Sequence, residues 1–238
     1  MNSRYPSIFL LTIAAVFAAE RPVATAGEPA RRAPAARAAQ ASIDAALQSA
    51  LSRPAPASEP SAAAIAALAF QPDPTVSERE KERAIKAAGL SEKKTPATYT
   101  AIRSGELLGQ FNRLLRRHRY DPDNLGDVLA AYLVLMWEIV ADRDSSTIPA
   151  GQSAVRRQLV PKLAKVPTLA TLSDEHKQQR AEATAYRTML AVIAFQQFKR
   201  SGDLAKKQAL QATVRDSLLR SGVDLRTVDL TAQGLVAR

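Results

Sequence analysis

The sequence predicts an all-α fold: a compact bundle of five to six helices around a central apolar helix at about 124–142, preceded by a signal peptide and an Ala/Pro/Arg-rich linker. Three observations point there. Strong helix formers (alanine, leucine, arginine, glutamine) are abundant, while aromatics make up only 5% of the chain. β-Branched residues never gather into the alternating runs that half-buried strands leave. Hydrophobic residues fill 46% of 238 positions, enough for one domain to bury its own core.

The first 26 residues read as a secretory signal. Arg4 supplies a basic start, Ile8 to Ala19 is uncharged and mostly apolar, and Ala24, Thr25 and Ala26 form a small-residue cleavage site, with Ala18 or Ala19 as rivals. A helix through the apolar stretch would measure about 18 Å, short of a ~30 Å hydrocarbon core. No transmembrane segment is expected in the mature chain. Cysteine is absent, which excludes disulfides, a thiol nucleophile and thiolate metal sites from an exported protein. The periplasm is the expected address, with full secretion second.

Residues 27–69 are rich in Ala, Pro, Arg and Ser. Prolines at 29, 34, 54, 56 and 60 favour a largely disordered linker. One short helix at 38–52 would set Ile43, Leu47 and Leu51 on a common face. The folded domain is expected over 70–238. Ser77 and Glu80 have capping-box spacing for a short helix ending near Gly89. A second helix is expected from about Tyr99 to His118, with Leu107, Phe111 and Leu114 on its apolar face.

Asp123 or Asn124 would cap the central helix. Pro149 would open the next, to about Lys165, with Pro161 kinking or shortening it. Ser173 caps a long helix to about Ser201, Gly202 breaks it, and Asp203 to Ser221 forms the last. The tail after Gly222 alternates poorly and is expected to pack as a short turn or helical cap.

The central segment carries the only tryptophan, Trp137, and is uncharged from Val128 to Trp137. Apolar residues cover most of its circumference, as a helix surrounded by others requires. A narrow strip is different: Asp127, Ala131, Glu138 and Asp142 fall within about 60° of one another at ~100° per residue. Asp127 and Glu138 are the only catalytic candidates. They stand about 16 Å apart along the axis, too far for the 5–9.5 Å of a paired-carboxylate glycosidase. Pairing of Glu138 with Arg156 or Arg157 is the ordinary expectation.

Asp121 to Asn124 resembles a calcium loop only superficially, because later carboxylates and the turn glycine are missing. His118 and His176 lack metal-ligand spacing, and no phosphate-binding glycine loop or nucleophile elbow occurs. No metal or other cofactor is expected.

Formal net charge is +10, and the basic residues Arg113, Arg116, Arg117 and Arg119 cluster at one helix end. Such a cluster complements the helix dipole and is the candidate anion-binding surface, for lipid phosphate or other anionic envelope material. Nucleic acid is the weaker partner, since the aromatics sit at core spacings and are not exposed for stacking.

Several landmarks together resemble an exported bacterial helical family known only as a domain of unknown function. They are Phe70, Pro72 and Val76; Asn124, Leu125, Asp127, Ala130, Tyr132 and Trp137; Arg157, Gln158 and Leu159; and Leu230, Thr231, Gly234 and Leu235. The resemblance spans roughly 70–236, with Gly126 and Val128 as departures from an alanine-rich pattern. It implies no reaction, cofactor or site residue. The expected function is therefore a non-enzymatic interaction or envelope-associated domain. The alternatives are a hydrolase-like enzyme on the acidic strip and a cationic binder of anionic lipid or nucleic acid.

Overall fold

The computed structural model describes residues 32–51 and 53–238; the expected signal peptide lies outside them. Among the described residues are ten α-helices, one 3-10 turn and one two-stranded sheet. The helices are α1 (Arg32–Leu51), α2 (Ala62–Leu68), α3 (Pro74–Ala87), α4 (Pro96–Arg103), α5 (Glu106–Arg117), α6 (Leu125–Ala141), α7 (Pro149–Leu163), α8 (Pro167–Ala170), α9 (Asp174–Ser201) and α10 (Leu204–Arg220). The strands are β1 (Val228–Thr231) and β2 (Gly234–Ala237).

The all-α expectation holds in outline, with more and shorter helices than the five or six expected. Gly105, at φ +77, divides the expected 99–118 helix into α4 and α5, because this left-handed backbone suits glycine and ends a helix. Asp73 and Pro74, rather than Ser77, start α3: the Asp73 carboxylate accepts from Thr75 N–H at 2.8 Å. Ser77 lies one turn inside, free to face another helix.

α6 is the centre, as its composition requires. Leu133, Met136 and Trp137 are fully buried, and α6 packs against α9 on one side and α7 on the other. Asn124 caps it by accepting from Gly126 and Asp127 N–H, and donates from Nδ2 to the Ile65 carbonyl at 2.8 Å. That bond draws α2 onto α6. Gly126 permits the approach, since a Cβ there would sit 2.7 Å from Leu68 Cδ1. The departure from an alanine-rich pattern thus has a steric cause.

Two expectations are corrected. Two helical parts of 27–69, residues 41–51 and 62–68, pack onto the rest of the domain and are not disordered linker. Ile43, Leu47 and Leu51 of α1 are buried against α7 and α8, and Arg157 reaches Glu59 and the Pro56 carbonyl. The prolines lie at 34, in the first turn of α1, and in the connection to α2, where they cost no helical hydrogen bond. The tail, in turn, is a β-hairpin with Leu230 opposite Leu235 and Thr231 opposite Gly234. Gln158 of α7 completes β2 from the side: its Oε1 accepts from Leu235 N–H, and its Nε2 donates to the Leu235 carbonyl, both at 3.0 Å. Gly151 lets this helix approach β1, because a Cβ there would meet the Thr231 carbonyl.

Candidate functional site

The three acids of the strip take different partners. Asp127 is fully buried; Arg156 Nε donates to its Oδ1 at 2.6 Å and Asp121 N–H to its Oδ2 at 2.9 Å. Burial pushes its carboxyl above the ordinary range, against the pull of Arg156. Glu138 accepts Ser145 N–H at 2.9 Å, capping the 3-10 turn Ser145–Thr147. It does not meet Arg156 or Arg157 as expected, since Asp127 and Glu59 hold those groups. Asp142, in the left-handed region at φ 51, pairs with Lys199 and Lys207, each at 2.8 Å. The strip is a set of anchors between elements.

The arginine cluster ends α5. Arg113 pairs with Glu106 at 2.7 Å, while Arg116, Arg117 and Arg119 are exposed. Asp123 N–H closes the 121–124 turn onto the Asp121 carboxylate at 2.9 Å. His176 Nδ1 sits 2.7 Å from Ser173 Oγ, at the start of α9. Among the described residues no group of three or more His, Asp or Glu side chains is placed to hold a metal.

A different constellation forms where α3, α5, α6 and α9 converge. A cleft of about 120 Å³ lies there, walled by Phe70, Leu108, Phe111 and Val128, with Ser77, Asp123 and Glu182 among its polar edges. Ser77 Oγ donates to Glu182 Oε1 at 2.6 Å, and Gln178 Nε2 donates to the same Oε1 at 2.8 Å. Gln178 is fully buried and also clasps the Asp73 backbone, its Oε1 accepting from Asp73 N–H and its Nε2 donating to the carbonyl. Nε2 lies within 3.1 Å of Ser77 Oγ as well.

Glu182 is 7% exposed, and its second oxygen, Oε2, is buried without a hydrogen-bond partner. Burial raises its carboxyl above the usual range, opposed by the Ser77 and Gln178 hydrogen bonds and by Lys81, and aided by Asp123. Burial and the neighbouring Asp121 raise Asp123 too.

Residues 23–238 match a family of unknown function, DUF6683. The chain belongs to that family. The DUF6683 match takes in α1, α2 and the hairpin, so the family's extent includes the layer that a composition reading would set aside as linker. No curated protein and no solved structure matches the chain.

The cleft of this DUF6683 chain escaped sequence reasoning because Ser77 and Glu182 are 105 positions apart. Ser77 also carried an apparent capping role. One signal was present: Gln178, Ala181, Glu182 and Ala185 recur at helical spacings of three and four, a polar pair between small residues on one face of α9.

Proposed function

We propose that this protein is an exported helical domain of the cell envelope, with the periplasm as its address, that works by binding rather than by turnover. Arg4, the uncharged run to Ala19 and the small residues at Ala24 to Ala26 support the address, since signal peptidase needs that order of features. One observation carries the binding reading. The acids that catalysis on α6 would need are committed to Arg156, Asp121 and Ser145, whereas the cleft beside α9 sets apolar walls next to the polar edges of Ser77, Asn112, Asp123 and Glu182. Apolar walls with a few convergent polar groups are the usual build of a ligand site.

The Ser77–Glu182 hydrogen bond favours a second reading, a hydrolase in which Glu182 takes the Ser77 proton. Gln178 beside the same hydroxyl oxygen competes for the electron pair such an attack would use. A fluorophosphonate, which modifies activated serines, separates the two. Ser77 is expected to stay unmodified, and stoichiometric labelling there would replace the binding reading with the hydrolase. For the address, periplasmic protein is expected to begin at Gly27; full-length protein retained in the cytoplasm would overturn it.

A further inference from the structure

We infer that α3 is a pH-sensitive cover on α9: it stays docked while Glu80 and Glu182 carry protons, and it swings away once both ionise. The release belongs to the helix pair itself, and its effect on the cleft is the one step that rests on the binding reading above.

Apolar packing gives α3 little hold. Its buried residues are Val76, Ile85 and Glu80, so a carboxyl group takes one of the three places. The rest of the contact with α9 is polar. Gln178 clasps the Asp73 backbone, Ser77 donates to Glu182, and Arg79 pairs with Glu175 where both are half exposed.

Two acids are sealed inside this contact, Glu80 at 3% exposure and Glu182 at 7%. Glu80 follows Ser77 by three residues, which puts it on the same side of α3, over α9. It lies close enough to Glu182 that a charge on one disfavours a charge on the other. Glu182 Oε2 and the Tyr186 hydroxyl, one turn further along α9, are both buried without a hydrogen-bond partner. Ionised, Glu182 would hold part of its charge on an oxygen that neither water nor protein solvates.

Countercharge is thin. Arg83 reaches Glu80 at 2.6 Å, but its side chain is half exposed, and Arg79 is shared with Glu175. Lys81 draws on Glu182 while bonded to Glu78 at 2.7 Å, and Asp123 repels it. Arg103 of α4, which also packs on α3, is taken by Glu82. Burial therefore outweighs these cations and raises both carboxyls above the ordinary range.

On release both acids return to water, where a glutamate ionises near pH ~4.3. A group that holds its proton more tightly when docked favours docking while protonated. That preference is lost as pH rises above about 4.3, so release grows with pH. Ser77 leaves with α3 and takes one edge of the cleft with it.

Hydrogen exchange of the intact protein, followed amide by amide from about pH 4 to 8, tests this. Protection, corrected for the intrinsic rate, is expected to fall in α3 and hold level in α7. The fall is about tenfold per pH unit for each acid, over the range where that acid is ionised only in the released state. In the Glu80→Gln/Glu182→Gln double variant, α3 is expected to keep its protection throughout. Level α3 protection in the wild type, an equal fall in the double variant, or a fall shared equally by α3 and α7 would overturn the inference. Should the double variant not fold, Glu80→Gln decides alone. It is expected to remove about half of the pH dependence, and an unchanged dependence would overturn the pairing. Ser77 labelling tests the binding reading separately, so either can fail without the other.

Discussion

Asp127 shows how a residue can look catalytic in sequence and prove structural in space. Its carboxylate joins three segments at once, through Arg156 of α7, the Asp121 N–H and its own helix. Asp127→Ala leaves Arg156 partly buried with only the more distant Glu59 for company. The expected loss is about 3 kcal/mol of unfolding free energy, measured by urea denaturation; a loss below about 1 kcal/mol would show that the pair is solvated. Glu182 makes the opposite case, since its position in "QQRAEATAYR" reads as an exposed helix face. Its folded-state pKa is raised, so it favours the folded state while protonated, and that stability is lost as pH rises from the unfolded value of about 4.3 through the folded one. Glu182→Gln cannot titrate. The stability of wild type relative to this variant is therefore expected to fall as pH rises above the unfolded value of about 4.3. Parallel stability curves for the two proteins would remove Glu182 as the cause. Caps were legible at this scale because they are local: Asn124 and Ser173 sit where their side chains reach the next turn.

Among the elements, α1 and the hairpin were misread for opposite reasons. The spacing of Ile43, Leu47 and Leu51 did mark an apolar face, but composition, a statement about the average residue, outweighed it. What the face packs against lies on α7, more than a hundred residues away, and no local pattern carries that information. Leu47→Ala is expected to cost about 2–4 kcal/mol in thermal or urea unfolding. A change within about 0.5 kcal/mol, the size of an ordinary surface substitution, would restore the linker reading. The hairpin had alternation at Val228 and Leu230, yet its turn through Ala232 and Gln233 lacks the Asn-Gly or Asp-Gly signature. A two-stranded sheet is marginal alone. This one persists because Gln158 bonds β2 from a helix, which strand propensity cannot foresee.

For the whole molecule, composition decided the class correctly: helix formers and a large apolar fraction imply packed helices whatever their order. It also locates the charge. Arg116, Arg117 and Arg119 are exposed together at one end of α5, on a chain of net charge +10. If that surface holds the domain to anionic envelope material, co-sedimentation with phosphatidylglycerol vesicles is expected at low salt and lost in the triple alanine variant. Exposed charges attract most strongly where screening is weakest, with a Debye length of ~30 Å at 0.01 M. Binding that survives high salt, or the triple substitution, would point to another surface.

The meeting of α1 and β2 on α7 has a consequence in time. One face of that helix must wait for a strand synthesised some seventy residues after it, so the emerging polypeptide cannot close its core vectorially. At a synthesis rate of ~5–20 residues per second, that interval lasts several seconds. Throughout it, Gln158 has no strand to clasp, and the face of α7 that β2 covers in the finished fold stays open.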